Sequence, residues 1–138
     1  MEPSSRDRSW FGRPAQEVAR DLLGALLRTD RADGTVVLRI TEVEAYGGTD
    51  DPVSHAARGR TARNSSMYLA GGHLYVYRHL GLHHCVNIVT GPPDVPGAVL
   101  LRAGEVVEGR DLARRRRLAA GVVRRDVDLA RGPGRLAV

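Results

Sequence analysis

From Ile40 to Tyr46, two glutamates alternate with apolar or small residues, and this pattern constrains the chain more than any other segment. A period of two is that of a β-strand, so Glu42, Glu44 and Tyr46 are expected to share one face. Carboxylates and an aromatic ring together, with His55 soon after, indicate a pocket for a flat, polar substrate. The alternative from the pattern alone is an edge strand with a solvated acidic face.

The composition indicates a globular protein with an anionic partner. The chain has 138 residues, enough for one domain with a real core, and a formal net charge of +5. All 21 basic residues are arginine, which suits phosphate recognition, although GC-biased codons also produce such a composition. Because lysine is absent, no side chain here can form a Schiff base with a sugar aldehyde.

No apolar run approaches the roughly 20 residues that a membrane span requires, and the first residues lack the apolar core of a secretory signal. Cys85 is the single cysteine, so an internal disulfide framework is excluded. These features predict a cytoplasmic protein without a membrane partner.

The pattern of elements predicts a flexible N-terminus over residues 1–12, with Trp10 and Phe11 as a possible anchor, and one domain over 13–138. Helices are predicted after Pro14, over 108–119 and from Gly132, and strands over 26–29, 36–46, 74–77, 85–89 and 98–103. Asp33-Gly34 predicts a hairpin turn, and residues 47–66 form a long polar connection. The last predicted helix starts so near Val138 that the chain looks cut short.

Two segments carry arginines or an apolar tip that suit nucleic acid. If the strands at 74–77 and 85–89 pair, Leu80 lies at a hairpin tip and is suited to wedge between base steps. Arg60 and Arg63 in the long connection, and the run 114–117, either meet phosphates or are simply solvated.

The histidines and the cysteine bear on three other chemistries. His79 and His83 have a zinc-ligand spacing on a helix, but their neighbours favour a hairpin, so no metal and no cofactor are expected. A zinc-dependent base deaminase would need paired cysteines, which the chain lacks. Cys85 inside an apolar strand is typical of a core residue rather than a nucleophile.

An ordered set of motifs resembles the alkyladenine, or 3-methyladenine, DNA glycosylases, and the resemblance covers residues 11–138. Each motif is weak alone, but their order and spacing are highly specific. The motifs are Val18 to Gly24, Thr41 to Tyr46, Asp50 to His55, Arg63 to Tyr68, Leu74 to Tyr77, Cys85 to Asn87, Val99 to Ala103, Glu108-Gly109 and Gly132 to Gly134.

The resemblance implies a base-excision enzyme that flips a damaged purine out of duplex DNA and hydrolyses its N-glycosidic bond. It implies that Glu44 is the general base that activates the water. The residues it implies for the substrate pocket and its surroundings are Tyr46, His55, Tyr77, Asn87 and Arg102.

The resemblance also implies a fold and a location, and the chain differs from the family pattern in two respects. The expected fold is α+β: one domain with a curved, mixed but mostly antiparallel sheet, packed helices and a β-hairpin that faces DNA. The protein is expected to be a monomer associated with a bacterial-type nucleoid. Leu80 stands where some members carry a tyrosine wedge, and the family normally continues beyond Gly132 to Gly134. A catalytically inert, lesion-binding fragment and a generic basic nucleic-acid-binding protein therefore stay as alternatives.

Overall fold

The computed structural model contains five strands and three α-helices. It describes residues 6–46, 71–79, 83–91, 97–121, 123, 125 and 129–138. At residues 77–79 and 83 it describes the backbone alone. The strands are β1 (Leu26–Arg31), β2 (Gly34–Tyr46), β3 (Leu74–His79), β4 (His83–Thr90) and β5 (Gly97–Glu108). The helices are α1 (Ala15–Leu22), α2 (Arg110–Ala120) and α3 (Pro133–Leu136), preceded by a 3₁₀ turn at Arg8–Phe11. The strands form one sheet in the order β1-β2-β5-β4-β3, and every pairing between them is antiparallel. The predicted α+β class is confirmed.

The hairpin predicted at Asp33-Gly34 is present, but its turn lies one residue earlier. Arg31 pairs with Gly34 across β1 and β2, which leaves Ala32 and Asp33 as the two turn residues. Gly34 has φ +133°, and a Cβ there would approach a Leu112 side-chain carbon of α2 to 2.9 Å. The glycine therefore serves both the backbone conformation and the close packing of α2.

Helix α1 begins directly after Pro14, whose fixed φ is compatible with a helix start. Val18 and Leu22 are one turn apart and both buried, because apolar residues at this spacing face the sheet together. Trp10 and Phe11 pack against the same core, as the anchor prediction required. Residues 1–5 of the predicted flexible N-terminus lie outside the described part of the chain.

One face of the sheet is covered by helices, and we call it the helix face. Its core beneath α1 is formed by Ile40, Ile88, Val99 and Leu101, with Val43 and Ala45 of β2 packed alongside. A second cluster, between the sheet and α2, includes Val36, Leu38 and Val106 of the strands and Leu112 of the helix. Leu101 and Val99 have 0 % exposure, so burial of apolar area on this face stabilises the fold.

A change of register in the middle of β2 separates this core from the acidic residues. Even-numbered side chains up to Ile40 reach the helix face, whereas odd-numbered side chains from Val43 onward do so. The register accounts for the switch: Ile40 pairs with Gly104 and Glu42 with Ala103, so Thr41 is an additional residue on β2. Glu42, Glu44 and Tyr46 are thereby directed to the opposite face, which we call the carboxylate face.

The arginine run in α2 is not the uniform solvated or phosphate-facing surface that its composition suggested. Arg117 is buried and its Nη1 donates to the Leu129 carbonyl at 3.0 Å. Arg116 donates to Asp33 in the β1–β2 turn, with Nε 3.1 Å from Oδ2. These two arginines tie α2 to its neighbours, because a helix packed on a sheet presents part of every turn to the interior.

The predicted strands, the helix after Pro14, the helix in α2 and the short helix at Pro133 are all present, although β5 runs on to Glu108. The hairpin tip at Leu80 and the long connection over 47–66 lie outside the described residues. In the ranges that are described, no helix is long and apolar enough to cross a membrane.

Candidate functional site

Arg102 of β5 lies between the two glutamates of the carboxylate face and donates to both. Its Nε is 3.0 Å from Oε1 of Glu42, and its Nη1 is 2.8 Å from Oε2 of Glu44. The arginine is 58 and 60 positions away from its two partners in the chain. One cation is therefore shared by two carboxylates, which leaves the cluster with a formal charge of −1.

The cluster exists because β2 and β5 are out of step at this point. One step from Glu42 to Val43 on β2 corresponds to two steps on β5, from Ala103 to Leu101. Arg102 is the additional residue, and it follows directly on the irregularity at Thr41 in the facing strand. Bulges re-aim side chains and are enriched beside active sites, and here two successive ones bring the arginine to the glutamates.

The cluster is accessible to a ligand, and its charged side chains are hydrogen-bonded to one another. The side chains of Arg102, Glu44 and Glu42 are 37 %, 41 % and 60 % exposed. The hydrogen bond to Glu42, followed by that to Glu44, raises the pKa of the Arg102 guanidinium above its ordinary value. Arg102 is therefore a permanent cation, and the two carboxylates keep fixed hydrogen-bond partners while open to solvent.

Asn87 lies in the same row of the sheet as Glu44. Glu44 pairs with Leu100 of β5, Leu100 pairs with Asn87 of β4, and Asn87 pairs with Tyr75 of β3. Directly paired residues share a face, so Asn87 and Glu44 stand on the carboxylate face two strand spacings, roughly 10 Å, apart. Asn87 is 3 % exposed, and its Nδ2 donates to the Tyr75 carbonyl at 3.2 Å. That bond fixes the orientation of the amide.

The other predicted site residues divide into those that are described and those that are not. Tyr46 is half-buried at the end of β2, opposite Ala98 and two positions beyond Glu44. Tyr77 is placed in β3 opposite Cys85, and only its backbone is described. His55, Arg60, Arg63 and Leu80 lie outside the described residues, so their predicted roles stay predictions.

The histidines considered as metal ligands lie on strands rather than on a helix. His79 of β3 pairs with His83 of β4, which removes the helical spacing that a zinc site would use. Cys85 is buried as a free thiol, as expected for a core residue. No group of three histidine, cysteine, aspartate or glutamate residues suited to a metal occurs in the ranges that the structure describes.

The pairing of Glu42 with Arg102 is the feature that the sequence did not reveal. The alternation placed Glu42 beside Glu44 but gave no means of telling which arginine, if any, meets them. The two partners come from strands far apart in the chain, and the contact depends on a register irregularity that has no local signal. The arrangement presents a Glu44 carboxylate that is held by Arg102 on one side and is open to solvent on the other.

The sequence of this chain is similar to those of known proteins. The family described as methylpurine-DNA glycosylase (MPG) matches residues 9–138. A relative from Streptomyces avermitilis, named "Putative 3-methyladenine DNA glycosylase", is 56% identical over 130 residues, which cover 94% of this chain and 60% of the relative.

Two further relatives of the same name show how far the similarity extends. One from Nocardia farcinica is 56% identical over 84% of this chain and 54% of its own length. One from Methanocella arvoryzae is 46% identical over 94% of this chain and 63% of its own length. The chain thus spans about 60% of the length of the curated relatives it matches. It belongs to the methylpurine-DNA glycosylase family.

Proposed function

We propose that this protein is a DNA glycosylase that removes alkylated or deaminated purines from duplex DNA by hydrolysing the N-glycosidic bond. The observation that carries the proposal is the half-exposed Glu44 carboxylate, held by Arg102 in a chain of the methylpurine-DNA glycosylase family. The names of the relatives, which specify 3-methyladenine DNA glycosylase, support the same substrate class.

In the proposed reaction, Glu44 accepts a proton from a bound water while the water oxygen forms a bond to the sugar C1′. The C1′–N bond breaks, and its electron pair leaves with the purine. An alkylated purine such as 3-methyladenine is positively charged, so its departure neutralises it and needs little acid assistance. The net negative charge of the cluster around Arg102 favours the oxocarbenium-like sugar that develops. Since the chain has no lysine, a Schiff-base lyase step is not part of the proposal.

The proposed substrate is a nucleotide rotated out of the duplex. Flipping a nucleotide costs a few kcal/mol, and the cost is smallest for a damaged or poorly paired base. This difference in cost contributes to selectivity. Tyr46, His55 and Tyr77 would enclose the base, and a tyrosine face attracts a cationic purine by about 0.5–2 kcal/mol. The amide of Asn87 would reject the exocyclic amine of normal guanine, and Arg102 would lie near the backbone of the flipped nucleotide.

The proposed DNA contacts outside the pocket rest on the sequence. Leu80 would fill the gap left by the flipped base, and Arg60 and Arg63 would meet phosphates. The formal net charge of +5 supports binding to a polyanion. A monomer that acts on the chromosome, in the cytoplasm of a bacterial-type cell, is the setting that we propose.

The test is release of free base from a duplex that carries 7-methylguanine or hypoxanthine. We expect the natural protein to release base and Glu44→Gln to lose at least about 10²-fold in single-turnover rate, because general-base catalysis typically contributes that much. Glu105→Gln is the matched control: Glu105 is an exposed carboxylate of β5 that pairs with Arg39 of β2, and its loss should leave the rate unchanged.

Three other results would contradict the proposal or favour a different function. Equal release by the natural protein and Glu44→Gln would contradict the catalytic assignment. Absence of release from both, with binding to damaged duplex retained, would support a lesion-binding chain that does not cleave. Equal binding to damaged and undamaged duplex, with steep salt dependence, would support a generic nucleic-acid-binding protein.

A further inference from the structure

The two glutamates of the carboxylate face are bound by different nitrogens of the same guanidinium. Glu42 accepts from Nε at 3.0 Å, and Glu44 accepts from Nη1 at 2.8 Å. A guanidinium is a rigid plane in which the directions of all five N–H groups are fixed relative to one another. A partner that holds Nε therefore also determines where Nη1 points.

We propose that Glu42 is a positioning residue, which acts through Arg102 to hold the Glu44 carboxylate in the orientation that activates water. This inference rests on the proposed function, because it assigns Glu44 the role of general base. Glu42 itself would touch neither the water nor the sugar. Its effect would pass through the planar guanidinium of Arg102 on β5, which donates to both carboxylates of β2.

The geometry of β2 and β5 argues that the contact is specific. Arg102 and Thr41 are the additional residues of two successive irregularities, so the backbone itself directs the arginine to this place. Without Glu42, the guanidinium would keep one carboxylate partner and regain rotation about its long side chain. The Glu44 carboxylate would then accept its hydrogen bond from a guanidinium that moves, and its own orientation would be less fixed.

Stability alone does not explain Glu42. Its side chain is 60 % exposed and that of Arg102 is 37 % exposed, and ion pairs with such exposure add little to folding because water and salt screen them. The pair of Arg39 and Glu105, on the same two strands, is a similar exposed pair with no link to Glu44. The two pairs should therefore have similar effects on stability and different effects on the reaction.

The kinetic test is a double-mutant cycle on single-turnover release of hypoxanthine from duplex DNA. We expect Glu42→Ala to lower the rate about tenfold, a coupling within the usual range for residues of one hydrogen-bond network. Glu42→Gln should recover most of that loss, because its amide oxygen still accepts from Nε. In an Arg102→Ala background, Glu42→Ala should change the rate less than twofold. Glu105→Ala is the control and should leave the rate unchanged.

Three results would overturn the inference. The first is a rate for Glu42→Ala equal to that of the natural protein. The second is an equal loss in Glu42→Ala with and without Arg102, which would show that Glu42 does not act through the arginine. The third is a loss in Glu105→Ala as large as that in Glu42→Ala, which would reveal a general effect of surface charge.

A spectroscopic measurement separates failure of this inference from failure of the proposed function. The Arg102 Nε–H signal is assigned by its disappearance in Arg102→Lys, and the Glu44 carboxyl carbon by its disappearance in Glu44→Gln. In Glu42→Ala, both signals should shift, whereas Glu105→Ala should leave both in place. If the natural protein releases no base but both signals shift, the glycosylase proposal fails and the positioning survives. If the Glu44 signal does not move, the positioning inference is wrong whether or not base is released.

Discussion

On the helix face, Val99 and Leu101 are completely buried beneath α1, and neighbouring side chains are apolar. On the carboxylate face of the same strands, Glu42, Glu44 and Arg102 stay between one third and two thirds exposed. Burial of apolar area stabilises a fold, whereas exposed ion pairs contribute little. The difference teaches that, beside the two register irregularities, the same two strands bury apolar side chains on one face and keep a charged cluster accessible on the other.

The largest expected effect is on the helix face. Leu101→Ala should lower the free energy of unfolding by about 2–5 kcal/mol, because it opens a cavity among fully buried neighbours. Urea unfolding followed by circular dichroism measures the loss. Base release per folded molecule should change far less than stability. A variant as stable as the natural protein would contradict the assignment of the core to this face.

Asn87 sharpens the comparison because it is a buried polar residue on the carboxylate face. Asn87→Ala removes the side-chain bond to the Tyr75 carbonyl and should cost about 0.5–1.5 kcal/mol of stability, the usual net contribution of one intramolecular hydrogen bond. The same variant should accept undamaged guanine more readily than the natural protein, if Asn87 has its proposed role. Chemical unfolding and base release from undamaged duplex give the two readouts. A loss of stability without a change in base selectivity would show that Asn87 has a structural role and no role in selecting the base.

Thr90 is the corresponding exception on the helix face. It is 1 % exposed, and its Oγ1 has no hydrogen-bond partner in the described part of the chain. Thr90→Val replaces the hydroxyl by a methyl group of similar shape and should leave stability unchanged or raise it by up to about 1 kcal/mol. Thr90→Ser is the control, since it keeps the hydroxyl and loses the methyl. A marked loss in the valine variant would reveal a partner for the hydroxyl.

The smallest effect concerns an exposed pair at the β1–β2 turn. The hydrogen bond from Arg116 lowers the pKa of Asp33, so this pair stabilises the fold above the unfolded pKa of about 3.9 and the contribution disappears as the pH falls through the folded pKa. Between pH 5 and pH 2.5, the urea midpoint of Asp33→Asn should therefore fall slightly less than that of the natural protein. Parallel curves would show that the pair has no measurable influence.

Much of the fold was predictable because it follows local rules. The period of two over β2, the turn chemistry around Asp33 and the apolar spacing of α1 each indicated the correct element. The turn was misplaced by one residue, because the packing of Leu112 against Gly34 is a contact between distant parts of the chain. The arginine run of α2 differs from its prediction for a similar reason, since Arg117 meets the Leu129 carbonyl only in the folded chain.

The sequence by itself determined that Glu42, Glu44 and Tyr46 alternate on a strand, and its motifs indicated the family to which the chain belongs. It did not determine that the face turns over between Ile40 and Glu42. Uninterrupted alternation would put the glutamates on the side of the apolar core, and only the additional Thr41 directs them away from it. The tertiary structure also determined that Arg102 donates hydrogen bonds to both glutamates. The physical reason is that strand register is fixed by pairing across the whole sheet, so a one-residue irregularity changes which side chains meet without leaving a local mark.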